Sequence, residues 1–266
     1  MSLPPAPSTM TFWEHLEELR ARLIKSFAAI AIGVAVGWFY RQPLLGWLTR
    51  PFVLAWKNDH LGPSATLHFG SPAALFLAYV KIAFIGGCVF ALPVLLYQLW
   101  AFIAPGLYSK EKRLALPFVV TSCALFATGG WFGWRVAFPV AFRYLLSFSG
   151  PVADSGLSVT PTVMIDDYLS FVARMLIAFG LVFELPIIVF FLSIAGVINH
   201  RHLIRYARHF IVAAFLLAAI VTPPDVVSQL LLAIPLCVLY AVSIVVAWAV
   251  GKKDASPAST DSGTTS

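Results

Sequence analysis

Apolar residues fill most of this chain in long, nearly unbroken stretches, and polar residues are gathered between them. A helix that crosses the hydrocarbon core of a bilayer needs about 20 mostly apolar residues, because each residue adds 1.5 Å along the helix axis. The pattern therefore predicts an all-α integral membrane protein with six transmembrane helices, at residues 24–40, 73–103, 114–148, 164–194, 207–221 and 226–250.

The two ends of the chain depart from this pattern. Residues 1–10 contain three prolines and no charged side chain, and residues 251–266 are rich in Ser, Thr, Gly and Asp. Segments of such composition bury too little apolar surface to become ordered. We therefore expect a disordered tail at 1–10, one membrane domain at 11–250 and a second disordered tail at 251–266.

Composition and charge agree with a membrane protein and indicate its orientation. Hydrophobic residues make up 60% of the chain and charged residues 11%, whereas soluble domains average about 25% charged residues. Most of the 18 Lys and Arg residues flank alternate span ends, on the side that holds both termini. Cytoplasmic flanks collect positive charge, so both termini are expected in the cytoplasm. The net charge of +6 follows from this bias and does not indicate a nucleic-acid partner.

Prolines inside the predicted spans should bend the bundle, because proline removes a backbone donor and kinks a helix. Span five is unusual, since its uninterrupted apolar run, 210–221, covers only about 18 Å at 1.5 Å per residue. A Thr-Pro-Pro-Asp turn follows this run. A short span predicts local thinning of the bilayer or a site that a partner helix completes.

Glu184 lies within the apolar run of span four. An ionisable group at membrane depth is expensive and usually serves a function. We expect Glu184 to face the protein interior and to contact a partner helix or water. The alternative interpretation is a proton-coupled secondary solute transporter in which Glu184 binds the proton. Such transporters often contain internal repeats, and the first and last three spans show no convincing repeat.

The segment 12–25 before the first span has helical periodicity, with charged residues opposite an apolar stripe. Its simplest interpretation is an interfacial amphipathic helix with a routine i,i+4 pair between Glu18 and Arg22. Glu111 lies among three cations in the loop after span two, on the same side as Glu18. Two carboxylates on one side could also receive two adjacent guanidinium groups, because Arg pairs with carboxylates through charge-assisted hydrogen bonds.

Other chemistry finds little support in the sequence. An intramembrane enzyme would need a nucleophile with a base, or a set of metal ligands, and the polar residues in the spans assemble neither. His200 and His202 flank an arginine in a basic loop, and the three cysteines fall in apolar spans without metal-type spacing. We expect no enzymatic activity, no metal site and no cofactor.

Four segments of the chain resemble signature blocks of one family. Residues 15–20 read HLEELR, residues 97–108 read YQLWAFIAPGLY, residues 183–186 read FELP and residues 222–229 read TPPDVVSQ. Taken together, these blocks are similar to TatC, the multispanning subunit of the twin-arginine protein translocase, over residues 12–250.

The resemblance implies a concave, glove-like six-span bundle in the bacterial-type inner membrane. It implies a receptor and scaffold for twin-arginine signal peptides in a Sec-independent translocase that exports folded proteins using the proton-motive force. The implied partners are single-span TatA-type and TatB-type subunits, the lipid bilayer and further copies within a larger complex. The signal-peptide site it implies comprises Glu18, Arg20, Phe102 and Glu111. Partner-helix positions are Glu184, Thr222 and Gln229, and functional loop positions are Pro51 and Asp225.

Overall fold

The computed structural model describes residues 12–58, 64–103, 115–151 and 156–250. Both predicted tails and the candidate site residue Glu111 lie outside these ranges. Within them, the α-helices are α1 (Phe12–Phe39), α2 (Arg41–Asn58), α3 (Pro72–Ile103), α4 (Ala115–Phe132), α5 (Phe138–Leu146), α6 (Ile165–Phe183), α7 (Leu185–Ile194), α8 (His200–Val221) and α9 (Val226–Val250). A short π-helical segment, Gly133–Ala137, joins α4 to α5, and strands β1 (Gly150–Pro151) and β2 (Ser158–Val159) pair antiparallel.

Six helical segments in the described part of the chain are long and apolar enough to cross a membrane. Spans one, two, five and six are α1, α3, α8 and α9. Span three is assembled from α4, the π-helical segment and α5, and span four from α6 and α7. The predicted six-span all-α fold is confirmed. We call the membrane side on which α1 begins and α3 ends the near side, and the opposite side the far side.

The structure corrects two expectations about the first 60 residues. The amphipathic stretch 12–25 is not a separate helix, because α1 continues without a break from Phe12 to Phe39. Residues 41–58, interpreted as an external loop, form the helix α2 with Pro51 inside it. This helix was not predicted, because the segment contains an internal proline and is only modestly hydrophobic.

Helices α1 and α3 approach each other at a glycine contact. A Cβ atom added to Gly33 would lie 2.3 Å from the carbonyl oxygen of Gly87, and one added to Gly87 would lie 2.5 Å from the backbone nitrogen of Val34. Gly37 makes a similar approach to the carbonyl oxygen of Ala83. Small residues spaced four apart let membrane helices pack backbone against backbone, so this contact fixes the separation of the two helices.

On the far side, α2 packs against the ends of spans three and four. Phe52 of α2 contacts Phe142 and Tyr168 at ring-centroid distances of 5.7 and 5.5 Å. The Tyr168 hydroxyl donates to the backbone carbonyl of Leu48 at 2.8 Å. A backbone bridge from His68 to Val163 and Ile165 ties the two far-side loops together. These contacts join the far-side segments into one packed layer.

Pro51 leaves a defect in α2 that a residue of span three repairs. Proline has no N–H, so the carbonyl four residues earlier, that of Trp47, loses its helical donor. The indole N–H of Trp134 donates to this carbonyl at 3.0 Å. The indole rings of Trp47 and Trp134 also stack, with centroids 4.9 Å apart and an interplanar angle of 5°. The proline therefore creates an acceptor that locks α2 onto span three.

Candidate functional site

The near-side ends of α1 and α3 bring together residues that are about 80 positions apart in the chain. Arg22 on α1 donates to Oε1 of Glu18 from Nη2 at 2.5 Å and from Nε at 3.0 Å. Nη1 of Arg22 lies 3.4 Å from Oε1 of Gln98 on α3. The predicted i,i+4 pair exists, but it lies against a second helix and is only about one-fifth exposed.

Phe102 occupies the same end of the helix pair. Its ring stacks on the imidazole of His15, with centroids 4.5 Å apart and an interplanar angle of 21°. Arg20 is exposed on α1, close to Glu18 in sequence. We call Glu18, Arg20, Phe102 and Glu111 the candidate recognition patch. The structure brings Glu18 and Phe102 to one end of the α1–α3 pair, while Glu111 lies outside the described residues.

Glu184 lies where span four is broken. Helix α6 ends at Phe183, and α7 begins at Leu185 with Pro186 in its first turn. Ten residues separate Glu184 from the near-side end of α7 at Ile194, which is about 15 Å at 1.5 Å per residue. The side chain is 5% exposed. The expectation that Glu184 faces the protein interior agrees with this burial.

Two residues from other spans meet Glu184. The indole N–H of Trp100, in the last turn of α3, donates to Oγ of Ser122 at 2.8 Å. Ser122 on α4 is in turn hydrogen bonded to Glu184. Since the Ser122 oxygen accepts the indole proton, its own hydroxyl proton is available to the carboxylate. This Trp100–Ser122–Glu184 chain links spans two, three and four.

The other carboxylate oxygen of Glu184, Oε1, is buried without a hydrogen-bond partner among the described residues. Trp100 also belongs to a small apolar cluster with Leu96, Val119 and Ile187. An unpaired oxygen in apolar surroundings is costly. It therefore marks a place where a further donor would be stabilising.

The hairpin between α8 and α9 contains the other predicted partner positions. Asp225 caps α9, because its Oδ1 accepts from the backbone N–H of Ser228 at 2.7 Å. The Thr222 hydroxyl donates to the Ala218 carbonyl at 2.9 Å at the end of α8. Gln229 crosses between the helices and donates to the Phe215 carbonyl at 3.1 Å. Each of these side chains has a local structural role, which the sequence alone did not specify for Thr222 or Gln229.

Lys81 lies within span two, and its charge is paired with a carboxylate of another span. Its Nζ lies 2.5 Å from Oδ1 of Asp166 and 3.0 Å from Oγ of Ser170, both on α6. The pair joins spans two and four toward the far side. Among the residues that the structure covers, no three His, Cys, Asp or Glu side chains form a group suited to a metal ion.

Sequence reasoning missed Gln98, Trp100, Ser122 and Trp134. Each contacts its partner across helices, so no local periodicity reveals the pairing. Trp100 and Gln98 lie inside the second signature block, whereas Ser122 resembles the other small residues of the spans. The sequence does not reveal which residues of neighbouring spans lie opposite each other, and these contacts depend on that register.

These features define a multi-pass α-helical membrane protein with a buried interhelical carboxylate and a polar patch at one membrane surface. A family model described as Sec-independent protein translocase protein (TatC) matches residues 14–235. The protein of that name from Desulforapulum autotrophicum is 38% identical over 91% of this chain and 86% of its own length. Its counterpart from Carboxydothermus hydrogenoformans is 39% identical over 93% of this chain and 96% of its own length.

A crystal structure of the twin arginine translocase receptor TatC has the same fold. It matches with a TM-score of 0.76 and 38% identity, covering 88% of this chain and 98% of that chain. The chain therefore belongs to the TatC family and is a protein of the Sec-independent translocase. The family resemblance seen in the signature blocks is confirmed, and the comparisons give no support to the solute-transporter alternative. Its relatives are components of a transport complex rather than known enzymes.

Proposed function

We propose that this protein is the receptor and scaffold subunit that binds twin-arginine signal peptides at the candidate recognition patch. Glu18 and Glu111 are the proposed carboxylate partners of the two arginines. Arg20 is proposed to help shape the charge of the patch, and Phe102 to contact the apolar portion of the signal peptide. The similar solved structure is described as the twin arginine translocase receptor, which supports a receptor function for this chain.

One observation carries this proposal: the α1–α3 contact brings a carboxylate and an aromatic ring to one membrane surface. Glu18 keeps one buried oxygen, Oε2, without a hydrogen-bond partner in the described part of the chain. Beside it, Phe102 is partly buried against His15. A guanidinium followed by an apolar segment matches such a surface, because Arg prefers paired contacts to carboxylates.

We further propose that Glu184, Thr222 and Gln229 contact the single-span TatA-type and TatB-type subunits. The unpaired Oε1 of Glu184 supports this, because a polar group of a partner helix would satisfy it. Thr222 and Gln229 belong to the α8–α9 hairpin, next to a short apolar run that a partner helix would complete. Pro51 and Asp225 are proposed to act through the shape they impose on α2 and on the start of α9.

Localisation and energy source complete the proposal. The protein is proposed to reside in the bacterial-type inner membrane with both termini in the cytoplasm, since basic residues flank the near side. Export of folded proteins is proposed to draw on the proton-motive force acting on the whole complex, with self-association of this chain inside that complex.

The test compares two groups of variants in the same native membranes. Glu18→Ala and Glu111→Ala, singly and together, should weaken crosslinking of a twin-arginine precursor, while co-purification of the single-span subunits is retained. Replacing both with Lys should weaken crosslinking further, since repulsion adds to the lost attraction. Glu184→Gln should show the opposite pattern, retaining crosslinking and losing co-purification.

Glu17→Ala is the matched control, because it removes an exposed carboxylate from the adjacent position of the same helix. Unchanged crosslinking in the Glu18 and Glu111 double variant would contradict the recognition site. Unchanged co-purification in Glu184→Gln would contradict the partner site without affecting the first conclusion.

A further inference from the structure

One face of α6 changes from polar to apolar along its length. Asp166, Ser170 and Arg174 follow one another at intervals of four residues, and side chains four apart lie on the same face of a helix. The same face continues into Ile177 and Leu181, whose side chains are 51% and 59% exposed. Charged side chains are costly in hydrocarbon and apolar ones are not. The change therefore marks the depth at which this face passes from a polar environment into hydrocarbon.

Two cations lie at this depth, on neighbouring spans. Twenty residues separate Arg174 from Ile194, the near-side end of α7, which is about 30 Å at 1.5 Å per residue. Lys81 is 22 residues from Ile103, the near-side end of α3, which is about 33 Å. The hydrocarbon core of a bilayer is about 30 Å thick. Both side chains therefore lie at the level of the lipid headgroups of the far leaflet.

The two cations meet at Ser170. Nζ of Lys81 contacts Oδ1 of Asp166 and Oγ of Ser170, and Nε of Arg174 donates to the Ser170 carbonyl at 3.2 Å. An ammonium has three donors and a guanidinium five. One N–H of Lys81 and the terminal nitrogens of Arg174 are therefore left without a partner among the described residues. Asp166 balances the charge of Lys81, so the group keeps one net positive charge, on the exposed guanidinium.

We propose that Arg174 and Lys81 bind the phosphate of a phospholipid in the far leaflet. A phosphodiester carries one negative charge and presents oxygen acceptors, which suit the fork of a guanidinium and the remaining ammonium N–H. The site lies on the opposite membrane surface from the candidate recognition patch. It goes beyond the proposed function and does not depend on it.

The apolar residues beneath the two cations identify the ligand as a lipid rather than a free anion. Ile177 and Leu181 lie one and two turns deeper than Arg174 on the same exposed face of α6. Phe84 lies one turn deeper than Lys81 on α3 and is 51% exposed. An acyl chain that descends from the bound phosphate would cover this apolar surface. Phosphate alone would leave it without a matching group.

The experiment measures binding of two lipids to the purified full chain by native mass spectrometry from mild detergent micelles. The lipids are dioleoylphosphatidylglycerol and dioleoylglycerol, which lacks the phosphate. The wild-type chain should bind the phosphatidylglycerol roughly tenfold more tightly, the scale of one charge-assisted hydrogen bond. Arg174→Gln should remove this preference and leave dioleoylglycerol binding unchanged. Arg174→Lys should retain part of it, because the charge remains and the paired contact is lost.

Arg135→Gln is the matched control. Arg135 is exposed and lies 20 residues after Ala115, the first residue of α4, so it is at about the same level as Arg174. Gly133, two residues earlier, packs on Phe179 of α6. Residues two apart do not share a helix face, so Arg135 lies on the side of span three that faces away from α6. Its replacement removes an equal charge and should leave the preference for phosphatidylglycerol unchanged.

Three results would overturn the proposal. Equal binding of the two lipids by the wild-type chain, or a preference that survives in Arg174→Gln, would show that Arg174 holds no lipid phosphate. An equal loss in Arg135→Gln would show a general attraction to far-side charge. Displacement of phosphatidylglycerol by an equal concentration of inorganic phosphate would show a site for a free anion. Thermal unfolding of each variant without added lipid establishes that the fold is intact.

Discussion

At the scale of single residues, several polar side chains inside this membrane protein are held by neighbours from other helices. Glu184 could be singled out from the sequence because a carboxylate in an apolar run is rare. Its partner Ser122 could not, because a serine at a helix interface resembles any other small residue in a span. The same holds for Gln98, whose contact with Arg22 depends on the register of α3 against α1.

Ser122 is predicted to stabilise the near-side half of the bundle. Ser122→Ala leaves the buried indole N–H of Trp100 without its acceptor and removes a hydrogen bond from Glu184. We expect a loss of about 1–3 kcal/mol in the free energy of unfolding, measured as a lower apparent melting temperature in mild detergent.

Ser193→Ala supplies the matched control for this prediction. Ser193 is buried, and its hydroxyl has no partner within the described ranges, so its removal should leave the melting temperature unchanged or slightly raised. Equal effects of the two substitutions would show that the Trp100–Ser122–Glu184 chain does not stabilise the fold.

At the scale of elements, proline positions explain both what the sequence predicted and what it hid. Pro186 lies in the first turn of α7, where a missing N–H costs little, and the bend that prolines predict for the spans occurs there as the break between α6 and α7. The segment around Pro51 was wrongly predicted as a loop, because it is only modestly hydrophobic and contains an internal proline. The helix is retained because the carbonyl that Pro51 leaves without a donor is satisfied by Trp134, a residue far away in the chain.

A double-mutant cycle on Pro51 and Trp134 should reveal this repair. Trp134→Phe leaves the Trp47 carbonyl to water and should lower the free energy of unfolding by about 0.5–1.5 kcal/mol. Pro51→Ala restores a backbone N–H that can pair with the same carbonyl. The second substitution should therefore offset part of the first, giving a non-additive combination in thermal or denaturant unfolding.

Strict additivity of the two substitutions would contradict the repair. The stacking of Trp47 on Trp134 is largely retained as ring contact in Trp134→Phe, so the cycle reports mainly the hydrogen bond. Trp131→Phe is a suitable control, because Trp131 lies in the same span and its side chain is exposed.

At the scale of the whole molecule, the six spans and their order were predictable from hydrophobicity alone. Sequence reasoning placed the sixth span at 226–250, which are the bounds of α9. The fifth span was predicted at 207–221, which is too short, because α8 begins at His200 and its first two turns contain basic residues. Packing between spans was not predictable, since glycine contacts such as Gly33 with Gly87 are set by three-dimensional register rather than by composition.

Orientation across the membrane can be tested by cysteine labelling. After Cys88, Cys123 and Cys237 are replaced, Ser158→Cys probes the far side and His202→Cys the near side, both at exposed positions. A membrane-impermeant maleimide should label Ser158→Cys in intact spheroplasts and His202→Cys only after permeabilisation, because basic flanks stay in the cytoplasm. The reverse pattern would place both termini outside.

The indole of Trp134 that completes α2 also imposes an order of events during biosynthesis. It lies 87 residues after the carbonyl it satisfies. At a synthesis rate of roughly 5–20 residues per second, that carbonyl waits roughly 4–17 s for its donor. During that interval the Trp47 carbonyl can accept hydrogen bonds only from water. The indole donor becomes available when the third span has been synthesised. The far-side layer is therefore completed only after span three has been synthesised, although α2 itself is made earlier.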